Sequence, residues 1–344
     1  MAESDIKSTG ANAANAITPE IKSTGANAAN AITPAIGSRL RSYGIIVVAV
    51  TVLAFLGLTR SHFMSLPNIY SLFYGVSLDF YCVAGFTILI IMGEIDLSVG
   101  SVYALAGTTA GYLATQGLPI WLCTAAALGI GIFVGLFNGL LVVHLRINSI
   151  ILTIGTLLLV RGLADVVAAK MAGERYIEAF RDIARARVFS VNWTIIALLV
   201  LLTMAEFAMV RSAVGRAIYY IGNNRRSALI HGISVGWYRV AGFALSGALA
   251  SISGVLVASR ITIADVNMGR QLEFTILTAA VLGGASLFGG RGQVVNSIVS
   301  YFFLAMILNG LIMFGVEPHL QQVIVGAVLI VIVGLDTHLN REAR

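Results

Sequence analysis

Ionisable side chains inside long apolar runs are the residues of this chain best placed to do chemistry, because a charge is costly in hydrocarbon. Asp79 stands in "YGVSLDFYCVAG", Glu94 and Asp96 in "MGEIDLSVGSVYALAG", and Arg161 and Asp165 in "VRGLAD". Arg161 and Asp165 are four residues apart, so on a helix they share a face, and mutual neutralisation is the expectation. Glu206 falls near the end of its run, within reach of an interface. Asn138, Asn296 and Asn309 can hydrogen-bond a hydroxylated solute or a neighbouring helix, and the second role is the commoner one. Phe73, Tyr74, Phe80 and Phe86 could stack on a sugar ring, although packing is the more ordinary use. No nucleophile–base arrangement is present. His62, His144, His231, His319 and His338 are scattered, and no His/Cys cluster has metal-ligand spacing. Nothing in the sequence assembles a catalytic site.

Two glycine-bearing motifs stand among these residues. In "MGEIDLSVGSVYALAG" (92–107), Asp96 or Ser98 could cap a helix start, with Ser98 favoured as the cap. Alternatively, the segment breaks a membrane helix and lets backbone groups line a polar cavity. "VLGGASLFGGRGQVVNS" (281–297) looks like a phosphate loop, but G-K-[ST] occurs nowhere in the chain, so the nucleotide reading fails. Gly93-x-x-Asp96-Leu97-x-x-Gly100 is echoed by Gly283-x-x-Ser286-Leu287-x-x-Gly290, as an old duplication or chance would produce. Gly131, Gly135 and Gly139 recur every four residues, which opens one helix face to close approach by another backbone.

The elements that position these residues must be membrane helices. The 344 residues are 58% hydrophobic and 11% charged, too few charges to solvate a globular surface. Apolar runs near 43–59, 69–92, 100–116, 120–142, 150–169, 192–210, 240–258, 273–288, 293–314 and 319–335 predict an all-α polytopic bundle of about ten spans. The third and eighth runs are short, as tilted, broken or re-entrant segments would be. Pro67, Pro119 and Pro318 fall at span edges, and Trp121, Trp193 and Trp237 at span beginnings, as in an interfacial belt. Cys82 and Cys123 lie within spans, which argues against a disulfide framework.

Residues 1–38 carry "IKSTGANAANAITP" twice, at 6–19 and 21–34. This polar, small-residue unit has nothing to bury and predicts a disordered tail ahead of a membrane domain over 39–344. Both termini are expected in the cytoplasm. Between two nearly uncharged spans, the loop 211–239 holds Arg211, Arg216, Arg225, Arg226 and Arg239, the densest basic loop close to the membrane. The loop 170–191 dissents with Lys170, Arg175, Arg181, Arg185 and Arg187, partly offset by Glu174, Glu178 and Asp182. The net charge of +6 reads as orientation signal and contact with anionic lipid, not nucleic-acid binding.

Over residues 43–335 the chain resembles the permeases of bacterial sugar-type ATP-binding cassette importers, the ribose/xylose/arabinose group that includes rhamnose and autoinducer importers. "GEIDLSVGS" (93–101), "GRAIYYIGNNRRSALIHGI" (215–233) and "AAVLGGASLFGGRGQVV" (279–295) carry the likeness in that order. Glu94 departs from it, standing where the family usually has a small residue, as does the charged outer loop 172–191.

The resemblance implies a multi-pass inner-membrane subunit that works as a homodimer, or as a heterodimer with a similar permease. Two cytoplasmic ATPases would drive it, holding the ATP and magnesium, while this chain binds no cofactor. A periplasmic sugar-binding protein would deliver a monosaccharide or related derivative for alternating-access transport. Segment 215–233 matches the coupling loop, which implies roles at the ATPase for Gly215, Arg216, Gly222, Asn223, Arg225, Arg226, Ile230, Gly232 and Ile233. Asp79, Asp96, Asn138 and Asn309 would line the substrate pathway. An ion-coupled secondary transporter is the rival reading, with Asp79 and the Arg161/Asp165 pair as its only plausible coupling groups.

Overall fold

The structure, a computed structural model, describes residues 51, 54–171, 174–261 and 263–341. The tandem repeat and most of the first expected span lie outside the described residues. Residues 60–339 form one compact unit. Its helices are α1 (Leu66–Ile91), α2 (Val99–Thr115), α3 (Ile120–His144), α4 (Ser149–Lys170), α5 (Glu178–Arg185), α6 (Trp193–Arg211), α7 (Ala213–Asn223), α8 (Arg225–Ile230), α9 (Val235–Arg260), α10 (Leu272–Leu282), α11 (Val294–Met313) and α12 (Pro318–Arg341). Among the described residues the only strands are β1 (Arg187–Val188) and β2 (Val191–Asn192), an antiparallel hairpin after α5.

Six helices, α1, α3, α4, α6, α9 and α11, are long and apolar enough to cross a membrane. They correspond to six of the ten expected spans. The third is α2, with only 17 residues. The eighth is α10, whose 11 residues end at the glycine-rich turn. The last is α12, apolar over Pro318–Val331.

Helix starts follow local chemistry. Pro67 sits in the first turn of α1, where its missing N–H costs nothing. Asn148 caps α4 by accepting from the Ile150 and Ile151 amides. Ser212 caps α7 through the Gly215 amide, and Asn224 caps α8 through the Ser227 amide. Glu206 of α6 serves the start of another helix. Its Oε2 accepts from the Val295 amide at 3.3 Å and satisfies an open donor at the start of α11.

Helix α9 is the hub and packs on α3, α2 and α1. Small residues make this approach possible. A Cβ on Gly131 would lie 2.2 Å from the Gly247 carbonyl oxygen, and one on Gly135 2.3 Å from that of Phe243. The expected glycine face of α3 therefore meets α9 backbone to backbone.

Helix ends sort into two sets. At one end, Gly290 N–H donates to Ile91 O at 2.8 Å and Tyr219 OH to Gly292 O at 2.8 Å. At the other, Asn68 and Asn309 exchange amide hydrogen bonds at 3.0 and 3.1 Å, and Arg185 donates to Arg260 O at 3.2 Å.

Candidate functional site

The three motifs far apart in sequence meet at the first of these ends. Helix α1 stops at Met92 because Gly93 turns the chain with φ +78°, a conformation glycine adopts without strain. The turn 283–293 lies against it, with Gly289 packed on Gly93. Gly222 of α7 wedges between them: a Cβ there would lie 1.9 Å from Ile91 O and 2.4 Å from Gly290 N. Arg225, the first residue of α8, donates to Gly93 O at 2.8 Å and to Glu94 Oε1 at 2.6 Å. Arg239, in the first turns of α9, donates to the same carboxylate oxygen at 2.6 Å. The Glu94 side chain is 3% exposed and Arg225's is 44% exposed. One buried carboxylate thus ties α8 and α9 to the end of α1.

Beside this knot lies a second network. Asp96 Oδ1 accepts from the Ser98 amide at 2.9 Å and from the Ser98 hydroxyl at 2.5 Å. Asn138 of α3 donates to Ser98 Oγ at 3.0 Å, and Thr156 of α4 donates to Asn138 Oδ1 at 2.7 Å. Ser98 occupies the N-cap position of α2, but its side chain makes no cap bond. The expectation that Ser98 caps with its hydroxyl is corrected: the hydroxyl is engaged by Asp96, which holds the turn instead. Ser286 does the same in the other motif, accepting from the Phe288 amide at 3.2 Å. Asp96 and Ser286 hold the same place in the two echoed sequences, and each binds the amide two residues on. The echo therefore extends to hydrogen bonding.

The third cluster sits mid-bundle. Asp79 of α1 accepts from Tyr103 OH of α2 at 3.0 Å and from Tyr301 OH of α11 at 2.8 Å. Asp79 as a whole is half-buried, and both of its carboxylate oxygens are engaged by these hydroxyls. Nearby, Glu273 of α10 is 4% exposed, with Oε2 unpartnered among the described residues.

The expected Arg161–Asp165 neutralisation is overturned. Arg161 donates to the Met268 and Gly269 carbonyls at 2.8 and 2.7 Å, while Asp165 pairs with Arg270 at 3.6 Å. The guanidinium fork serves two successive turn carbonyls at once. Asp96 and Asn138 therefore share a network, whereas Asp79 and Asn309 stand in separate ones. Nothing local marks Tyr103 or Tyr301 in the sequence, whereas Glu273 is an ionisable residue at the start of an expected span and Arg239 stands among the arginines of the basic loop, without a sign of its pairing with Glu94.

Residues 68–333 match the family described as branched-chain amino acid transport system, permease component. The chain belongs to this permease family. It is 28% identical over 300 residues to the ribose import permease protein RbsC of Haemophilus influenzae, covering 86% of this chain and 93% of that one. It is 30% identical over 304 residues to the L-arabinose ABC transporter permease protein AraH of Azospirillum brasilense, covering 88% and 89%. It is 30% identical over 302 residues to the autoinducer 2 import system permease protein LsrC of Yersinia pseudotuberculosis, covering 86% and 84%. No solved structure matches the chain. The permease is accordingly a transport component, multi-pass in the bacterial inner membrane.

Within the permease, the residues of segment 215–233 divide by geometry. Gly215 and Gly222 make close backbone approaches, and Gly232 holds φ +76°. Asn223 packs under Gly290, and Ile233 is half-buried against the core. Arg216 is exposed and donates to Arg211 O at 2.9 Å. Arg226 is exposed, as is Ile230 at 78%. The first group shapes the segment, while the exposed residues present a surface.

Proposed function

We propose that this chain is the membrane-spanning subunit of an ATP-driven importer of a monosaccharide or related sugar derivative, working by alternating access. The observation that carries the reading is the exposed α7–α8 segment, tied from beneath to the end of α1 and the turn before α11. A partner pressing on Arg226 and Ile230 would act directly on those turns. The relatives named for ribose, L-arabinose and autoinducer 2 import support a sugar-like cargo.

In this reading, about ten spans place both termini in the cytoplasm. Two ATPases holding ATP and magnesium dock on segment 215–233, and a periplasmic binding protein meets the opposite end. A second permease copy, identical or similar, completes the pathway. Asp79, flanked by two tyrosines, would accept a sugar hydroxyl at mid-depth. Asp96, Asn138 and Asn309 are satisfied by protein partners and would shape that path. Of the arginines, Arg226 is the better docking residue, because Arg225 is engaged by Glu94.

The test is labelled ribose or arabinose uptake into proteoliposomes holding the chain with its ATPase and binding protein. Uptake should require ATP inside the ATPase-accessible compartment and ignore a protonophore. Uptake abolished by the protonophore and indifferent to ATP would replace this reading with ion-coupled transport. Arg226→Glu with Ile230→Glu should lower ATPase co-purification and leave membrane insertion intact. Undiminished co-purification would remove the docking role from these residues.

A further inference from the structure

We propose that Glu94 is a positioning residue for transport: it joins the ATPase-facing helix α8 to the hinge at the end of α1. The inference rests on reading α7–α8 as the driven segment. It begins with an anomaly of charge, a carboxylate 3% exposed that carries two guanidiniums on one oxygen, each at 2.6 Å.

The two arginines are not equivalent. Arg239 is 16% exposed and belongs to α9, the helix on which α1, α2 and α3 all pack. Arg225 is 44% exposed and opens α8, a six-residue helix on the surface. Arg239 is therefore the fixed half of the clamp and Arg225 the movable half. Because both share Oε1, Arg225 can shift while Arg239 keeps the buried charge compensated, so release does not strand a carboxylate.

What Glu94 holds is equally specific. It follows Gly93, whose positive φ makes the turn, and Arg225 also grips the Gly93 carbonyl. Two residues on, Asp96 holds Ser98 at the start of α2, and the Ser98 hydroxyl accepts from Asn138 of α3. Helix α2 then carries Tyr103, which bonds Asp79. Displacement of α8 is thus passed by a continuous set of hydrogen bonds and one helix to the mid-bundle carboxylate. A continuous route alone does not establish coupling, so the test measures it.

Full-length chain, ATPase and binding protein are reconstituted with Glu94→Gln, Arg225→Met, and both changes together, with labelled ribose and arabinose as probes. Glu94→Gln should co-purify with the ATPase and hydrolyse ATP within about twofold of the unaltered complex, while in all three variants the sugar moved per ATP hydrolysed falls about tenfold. The double variant should lose no more than either single one, as partners in one interaction require. Unchanged sugar per ATP in Glu94→Gln, or losses that multiply in the double variant, would overturn the proposal. Arg225→Met leaves the buried Glu94–Arg239 pair intact and serves if Glu94→Gln does not assemble.

Should the unaltered complex move neither ribose nor arabinose with ATP, the clamp is judged on the full chain alone. There Glu94→Gln should speed amide exchange across 219–230 about tenfold, leaving α3 and α9 protected. Equal exchange would overturn the clamp regardless of any partner.

Discussion

Asp79 shows how little of a polar site its own residue type reveals. A carboxylate among apolar residues was visible at once, yet the two hydroxyls that hold it come from Tyr103 and Tyr301, 24 and 222 positions away. Those tyrosines sit in apolar runs and carry no local signature, so only the folded bundle pairs them with Asp79. Asp79→Leu would leave both hydroxyls without an acceptor, at about 1–3 kcal/mol for each orphaned group. Asp79→Asn keeps an acceptor of nearly the same shape. We expect sugar uptake to fall about tenfold or more in both variants if a substrate hydroxyl uses this carboxylate. Thermal unfolding in detergent should separate them, with Asp79→Asn close to the unaltered chain and Asp79→Leu clearly lower. Normal uptake by Asp79→Asn would remove the residue from the path.

At the scale of elements, the sequence made one face of α3 legible and left its partner open. Gly131, Gly135 and Gly139 announce close approach by their spacing, but only the structure shows Phe243 and Gly247 of α9 arriving there. The short third span was legible from its run length, whereas the eighth run, 273–288, overshoots α10, which the glycine-rich turn ends at Leu282. The Arg161 contact was not legible, because i,i+4 spacing describes a helix in isolation. The turn carbonyls of residues 268 and 269 take that guanidinium in place of Asp165. The same contrast predicts stabilities. Gly135→Val must push apart two backbones and should cost about 3 kcal/mol or more. Gly129→Ala, on the same helix with open space at its Cβ, should be neutral or stabilising by up to about 1 kcal/mol. Denaturant or thermal unfolding of the purified chain checks both, and equal losses would contradict backbone contact as the cause.

For the whole molecule, the decisive property is which end faces the cytoplasm. The exposed α7–α8 segment lies at one end with the turns 92–98 and 283–293, and the β1–β2 hairpin lies at the other, where Arg185 and Asn68 make their contacts. Basic residues occur at both ends, so the count alone decides weakly. Arginine density argues for α7–α8 inside, because short basic loops flanking spans resist translocation. The hairpin offers a clean outside probe. Phe189 and Ser190 form its tip with positive φ, and Phe189 is 95% exposed. Cys82 and Cys123 are buried, so neither should give a background signal. In intact cells with a permeable outer membrane, Ser190→Cys should react with a membrane-impermeant maleimide. Arg226→Cys should react only after the inner membrane is opened. The opposite pattern would put the arginine segment in the periplasm, beyond reach of any ATPase, and would end the importer reading at once.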